Sequence, residues 1–340
     1  MSWIRTPTSS DVRTLRTLAA ALAAATALGC GRARSEFASA TPAPAPAAPT
    51  RGYLFIVGGG PQPPELVQKF VDLAGGAGHS RIVVFAMASE DGEASGEEKA
   101  DDLRKLGAEA RNLFITHEQA NSDSVARLLD GVTGVWFGGG DQVLLTRALQ
   151  GTKVEAAIQA RYRAGAVVGG TSAGAAVMST SMITGDERHP GGSRPTSDPS
   201  NGFITIAREN VVTSAGFGLL PNAIVDQHFV RRKRHNRLMS LVLEDAKHLG
   251  VGIDESTALL VHPDGHWSVL GASVAIVYDA RRSEITRPSA PVLGATEIVV
   301  HVLPAGSSFD PRTGHVSLPR SAGHADSHQQ VHRQADARGR

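Results

Sequence analysis

The segment Gly169-Gly170-Thr171-Ser172-Ala173-Gly174-Ala175 carries the pattern G-x-S-x-G, with an apolar run before it and small residues after it. That order sets Ser172 on a sharp strand-to-helix turn, its hydroxyl exposed, among neighbours small enough for the turn to close. The backbone N–H of Ala173 would meet an oxyanion formed at Ser172. Gly140, in the turn Gly138-Gly139-Gly140, offers a second donor at little steric cost. A structural turn of small residues is the plainer reading of the same string.

A serine nucleophile requires a base, and the chain has thirteen histidines to sort. His228 differs from those in polar loop sequence: Ala223-Ile224-Val225 reads as a strand, and Asp226-Gln227-His228-Phe229 sets three polar groups and an aromatic at its end. The bland alternative is a satisfied polar residue at a strand end. Farther along, Gly252-Ile253-Asp254-Glu255 places two carboxylates after an apolar segment, and either could accept from the imidazole and hold its tautomer. Successive strand residues point to opposite faces, so only one of the two can face the site. The chain order Ser, His, acid departs from the Ser, acid, His of α/β-hydrolases and disfavours that fold.

Between base and acid, Arg231-Arg232-Lys233-Arg234-His235-Asn236-Arg237 holds five cations in seven residues, ahead of a helical run from Leu238 to Leu249. Cations at a helix N-terminus oppose the macrodipole, so an anionic ligand is expected to balance them. Guanidinium forks grip carboxylates bidentately, a natural use beside a serine nucleophile. The alternative, a nucleic-acid patch, sits poorly with 34 Lys and Arg against 33 Asp and Glu and a formal charge of +1.

The elements that must position these groups alternate along the chain. Continuously apolar runs at Tyr53 to Val57, Arg81 to Phe85, Gly134 to Phe137 and Gly165 to Val168 suit parallel strands covered on both faces. Helical patterns at Leu66 to Leu73, Ala100 to Leu106, Ser122 to Leu129, Gln142 to Leu149 and Val154 to Tyr162 lie between them. After Gly250, strands joined by tight turns, such as Pro263-Asp264-Gly265, predict antiparallel additions at one edge. The glycine clusters fall where strands end, the ligand-binding edge of such a sheet. Gly58-Gly59-Gly60 is followed by Pro61, Pro63 and Pro64 and completes no dinucleotide fingerprint. At 340 residues, 41% hydrophobic and 20% charged, the chain has the composition of a globular protein and excludes a fibrous or wholly disordered one. Its single cysteine excludes an intrachain disulfide and any multi-cysteine metal site, and no cofactor or metal is expected.

Four strings together resemble the cyanophycinase family, serine exopeptidases related to dipeptidase E. They are Gly139-Gly140-Asp141-Gln142, Gly170-Thr171-Ser172-Ala173-Gly174-Ala175, Asp226-Gln227-His228-Phe229-x-x-Arg232-x-Arg234-x-x-Arg237-Leu238, and Gly252-Ile253-Asp254-Glu255. The third is the most specific. The resemblance implies a flavodoxin-like three-layer α/β/α sandwich with a mostly parallel sheet, akin to class I glutamine amidotransferases but with serine as the nucleophile. It implies that Ser172 attacks, that His228 is the base and that Glu255 orients it, and that Gln142, Asp226, Gln227, Arg232, Arg234 and Arg237 line the substrate pocket. The implied substrate is cyanophycin, a polyaspartate with arginine on each β-carboxyl, cut from its C-terminal end into β-aspartyl-arginine, and the implied assembly is a homodimer. Gly58-Gly59-Gly60-Pro61 lacks the acidic residues often found there in the family, and the polar stretch from Asp186 to Asn201 is long. Two other readings stand beside this one: a related peptidase acting on aspartyl dipeptides or isopeptides, and a lipoprotein that binds peptides without cutting them.

The ends read as an address, a tether and a tail. Arg5, Arg13 and Arg16 precede an Ala-rich apolar run from Leu18 to Leu28, which is short for a membrane span and fits a signal peptide over residues 1–29. Ala27-Leu28-Gly29-Cys30 resembles a bacterial lipobox, with Cys30 as the lipidated N-terminus of an extracytoplasmic protein; membrane contact is expected only through that anchor. Residues 30–50 are a Pro/Ala-rich tether, residues 51–320 the folded domain, and residues 321–340 a His-rich disordered tail whose histidines are read as solvated rather than metal-binding.

Overall fold

The computed structural model describes residues 52–188 and 205–319; the leader, Cys30, the tether, the tail and most of the Asp186 to Asn201 stretch lie outside them. The first half alternates strand and helix. It runs β1 (Leu54–Val57), α1 (Pro64–Leu73), β2 (Arg81–Phe85), α2 (Gly92–Lys105), β3 (Glu109–Asn112), α3 (His117–Ala120), α4 (Asp123–Ala126) and β4 (Gly134–Phe137). It continues through α5 (Gln142–Leu149), α6 (Lys153–Arg163), β5 (Val167–Thr171) and α7 (Ala173–Ala176). The second half holds β6 (Ser181–Glu187), β7 (Val211–Ala215), β8 (Ala223–Gln227), α8 (His235–Glu244), β9 (Leu249–Ile253) and β10 (Thr257–Val261). It closes with β11 (Trp267–Gly271), β12 (Val274–Asp279), β13 (Val299–Pro304), β14 (Ser308–Asp310) and β15 (His315–Ser317).

The main sheet has the order β15-β14-β11-β10-β1-β5-β4-β2-β3. From β1 to β3 every pairing is parallel, and β10, β11, β14 and β15 add antiparallel strands beyond β1. This is the α/β sandwich with one antiparallel flank that the apolar runs predict. The alternation of side chains explains why those runs are unbroken. Leu54, Ile56, Val83, Phe85, Val135 and Phe137 enter the core under α5, α6 and α7. Phe55, Val57, Ile82, Val84 and Trp136 enter the opposite core with Phe70 of α1 and Leu103 of α2. Both faces are apolar because both are covered by helices.

The structure adds to the sandwich a second sheet, β13-β12-β9-β8, in which only β8 and β9 are parallel. Val225, Val251 and Val277 pack into the same core as α7, whereas Ile224 and Ile276 face α8, with Leu238 and Val242. The strand expected at Ala223 to Val225 is β8 of this smaller sheet and not part of the sheet that carries Ser172, against which it lies through α7. The helix expected from Leu238 to Leu249 is shorter, because Leu249 already begins β9. The one expected from Ser122 to Leu129 is broken into α4 and a 3₁₀ turn. Among the described residues no helix is long and apolar enough to cross a membrane.

Candidate active site

The residues singled out above meet at the carboxyl end of β1. Three successive carbonyls there hold three distant segments: Val57 O accepts from Ser172 N–H (3.1 Å), Gly58 O from His228 N–H (2.6 Å), and Gly59 O from Ser256 N–H (2.9 Å). Ser172, His228 and Ser256 all have positive φ, at 54°, 49° and 54°. Such values are costly for residues with a Cβ and persist only where the surroundings over-determine them. The carbonyl grip supplies that constraint.

Ser172 stands between β5 and α7, half-buried. The elbow is as tight as the string of small residues predicts, since a Cβ at Gly174 would meet the Phe137 carbonyl carbon at 2.7 Å. Ala173 opens α7, so its N–H has no acceptor in its own helix. The glycine turn after β4 lies beside the hydroxyl, but its members differ. A Cβ at Gly139 would sit 3.5 Å from Ser172 Cβ, whereas one at Gly140 (φ +133°) would collide with the backbone of Ala88. The member of the turn that packs on Ser172 is therefore Gly139, next to Gly140, the N–H donor expected from the sequence.

The Ser172 hydroxyl and His228 Nε2 are 2.9 Å apart, and His228 Nδ1 and Glu255 Oε1 are 2.7 Å apart. A carboxylate only accepts, so the Nδ1 hydrogen goes to Glu255 and Nε2 is left as the acceptor for the hydroxyl. His228 is buried, and that burial lowers its pKa below the ordinary histidine value. The hydrogen bond to Glu255 opposes the shift, and Arg232 and Arg234 add to it. The imidazole is thus kept neutral and able to take a proton.

Of the two carboxylates that spacing alone leaves open, the structure brings Glu255, the one the family resemblance implies, to the imidazole and gives Asp254 another task. Asp254 Oδ1 accepts from Val230 N–H (3.1 Å) and Arg231 N–H (3.0 Å), and its Oδ2 accepts from Ser273 Oγ (2.8 Å). It pins the loop that follows His228. The opposed directions of neighbouring residues thus separate the two roles.

The six residues assigned to a substrate pocket do not all face an open site. Asp226 and Arg237 are 0% and 3% exposed. They form a two-pronged ion pair in which Arg237 Nη2 donates to Oδ1 and Nε donates to Oδ2 at 2.7 Å. Part of the charge at the basic helix start is therefore met by the chain's own Asp226, which takes Arg237 and lies 3.7 Å from Arg234, while Arg232 stays exposed. Arg234 donates to Gln227 O (2.8 Å), and burial together with the nearby Arg237 pushes its pKa down to about 10. Arg232 is exposed. Gln142 spends its amide N–H groups on Ile183 O and Thr184 O, both at 2.7 Å, which ties α5 to β6. Gln227 is buried, and its Oε1 has no hydrogen-bond partner among the described residues.

Gly59 and Gly60, to which the sequence reading gives no part in the site, shape it. A Cβ at Gly59 would overlap the His228 ring, and one at Gly60 would lie 2.9 Å from Glu255 Cβ. The first glycine cluster is a floor for imidazole and carboxylate rather than a phosphate loop; its signal in the sequence was three glycines where a strand ends. Among the described residues no group of three or more His, Cys, Asp or Glu side chains could hold a metal ion.

A hydroxyl, an imidazole and a carboxylate in one hydrogen-bonded line at the carboxyl end of a parallel sheet have the geometry of a hydrolase. The chain belongs to peptidase family S51, whose family model matches residues 54–268. It is a peptidase. It is 34% identical to the cyanophycinase of Trichormus variabilis over 272 residues, 76% of this chain and 86% of that one. It is 30% identical to the cyanophycinase of Synechococcus elongatus over 280 residues, 78% of this chain and 81% of that one. In fold it is similar to the crystal structure of a peptidase from an acI-B1 Actinobacterium, with a TM-score of 0.57 at 22% identity, covering 77% of this chain and 98% of that chain.

Proposed function

We propose that this chain is a serine-type exopeptidase that releases β-aspartyl-arginine from the C-terminal end of cyanophycin. The observation that carries the reading is the line from Ser172 through His228 to Glu255, with separations of 2.9 Å and 2.7 Å. Ser172 Oγ attacks the backbone carbonyl while its proton passes to His228 Nε2. The Ala173 N–H and the Gly139-Gly140 turn stabilise the oxyanion. His228 then returns the proton to the leaving amine and an acyl-enzyme remains on Ser172. Water, deprotonated by the same imidazole, releases the acid and restores the serine. Glu255 fixes the ring and stabilises the imidazolium. Exposed Arg232 is the member of the expected pocket set best suited to meet the carboxylates of the polymer end, because Asp226 and Arg237 are occupied with each other, and the unpartnered Oε1 of Gln227 can only accept from a donor. The two cyanophycinase relatives support the choice of polymer.

The reading includes export and lipidation at Cys30, from the leader sequence, and a homodimer, from family resemblance. Incubation of the purified chain with insoluble cyanophycin, followed by chromatography of the supernatant, tests the activity. β-Aspartyl-arginine should appear, and Ser172→Ala should abolish it. An intact polymer, with aspartyl dipeptides hydrolysed instead, would move the chain to the related peptidase reading.

A further inference from the structure

A cavity of about 390 Å³ lies between α2, the segment before α1 and the carboxyl ends of β2, β4 and β5. Gly139 and Thr171, the neighbours of Ser172, form part of its wall, yet neither His228, Glu255 nor any arginine lines it. It is a second recess, reached from the same turn that packs on Ser172. Its one cation is Lys99, whose Nζ donates to Gln62 Oε1 (2.7 Å) and sits 4.4 Å from the centre of the Trp136 ring. Among the described residues no carboxylate lies within 4.0 Å of that ammonium. An ammonium has three N–H donors, and here one goes to a protein acceptor, which leaves capacity for an anionic guest. Burial pushes Lys99 down to about 8, the mark of a charge held without a full counter-ion, although Asp102 opposes the shift. Glu98 and Asp102 line the same cavity, four apart on α2, and Glu98 is exposed.

The recess therefore offers one half-buried positive group and, on the same wall, negative ones. Its complement is a ligand that carries a carboxylate and, several bonds away, a cation. Each branch of a polyaspartate with arginine joined through its α-amino group carries that pair, an α-carboxylate and a guanidinium. We propose that this cavity is the subsite for the arginyl branch of the unit attacked by Ser172, with Lys99 taking the branch carboxylate and Glu98 the guanidinium. The assignment rests on the function proposed above and adds to it what selects the branch.

The test is calorimetric binding to the Ser172→Ala chain, which cannot consume its ligand. The two ligands are a soluble three-unit β-aspartyl-arginine segment and its counterpart with agmatine, which lacks the branch carboxylates, in place of arginine. The arginyl segment should bind more tightly, and adding Lys99→Met should weaken it by roughly 10- to 100-fold while leaving the agmatinyl segment nearly unchanged. The unchanged ligand also reports that the variant is folded. Equal weakening of both segments, no weakening of either, or no binding of either to the Ser172→Ala chain would overturn the subsite. Release of dipeptide from cyanophycin by the unmodified chain separates the two proposals. Release with no Lys99 dependence of binding removes the subsite alone, and Lys99-dependent binding without release removes the polymer activity alone.

Discussion

Gly59 and His228 are packed so closely that a Cβ on the glycine would overlap ring atoms Cε1 and Nε2 and lie 2.9 Å from Nδ1. Gly59 also has φ +109°, and its neighbour Gly58 accepts the backbone N–H of His228. The imidazole therefore rests on bare main chain at the end of β1, with Glu255 and Ser172 at its two nitrogens.

Gly59→Ala should displace that ring and strain the loop together. We expect kcat to fall by at least ~100-fold, the effect of moving a reacting group by about an ångström. Stability should fall by about 2 kcal/mol or more, which thermal melting would register as a drop of roughly 4–8 °C. A variant with unchanged kcat would mean that the glycine floor does not place the imidazole.

The two adjacent carboxylates should separate in their effects. Glu255→Gln keeps shape but loses the charge that holds the tautomer, so kcat should fall by roughly 10³- to 10⁴-fold with little change in melting temperature. Asp254→Ala orphans the N–H groups of Val230 and Arg231 and should cost about 1–3 kcal/mol of stability. Its kcat should suffer less than that of Glu255→Gln. Parallel measurement of kcat and melting on both variants checks the division.

The basic segment should divide in the same manner. Arg237→Met leaves Asp226 buried without its two-pronged partner and should destabilise the fold by about 3–5 kcal/mol. Exposed Arg232 should tolerate Arg232→Gln with an unchanged melting curve and a raised KM for cyanophycin. Denaturant unfolding of both variants, set beside their KM values, distinguishes a wall residue from one that meets the substrate.

The pH profile follows from the environment of His228. In the proposed mechanism His228 acts as the neutral ring, and burial, aided by Arg232 and Arg234, makes its protonation harder. The acid limb of kcat/KM should therefore fall below the ordinary histidine value of about 6.5. Removing a neighbouring positive charge makes protonation easier, so Arg232→Gln should move that limb to higher pH. A limb that stayed in place would show that the arginine does not act on the ring.

Much of this site was legible in the sequence because its signals are local. The elbow around Ser172 is a run of consecutive small residues, and unbroken apolar strings announced the covered parallel strands. The polar string at the end of β8 marked His228. Tasks that depend on what lies opposite were hidden. Asp226 and Arg237 read as ligand-binding groups until the turn between β8 and α8 brings them together, after which each satisfies the other. Gly59 and Gly60 carry no side chain that could advertise a role. β3, with the sequence EARN, escaped notice because it is an edge strand with only Ala110 buried. The choice between Asp254 and Glu255 needed the direction of one strand end, which spacing does not encode.

The strand that grips Ser172, His228 and Ser256 is the first among the described residues and an interior strand of its sheet, hydrogen-bonded to β5 on one side and to β10 on the other. A nascent polypeptide therefore cannot complete the Ser172–His228–Glu255 line against β1 until the segment through β10 has emerged and paired with that strand.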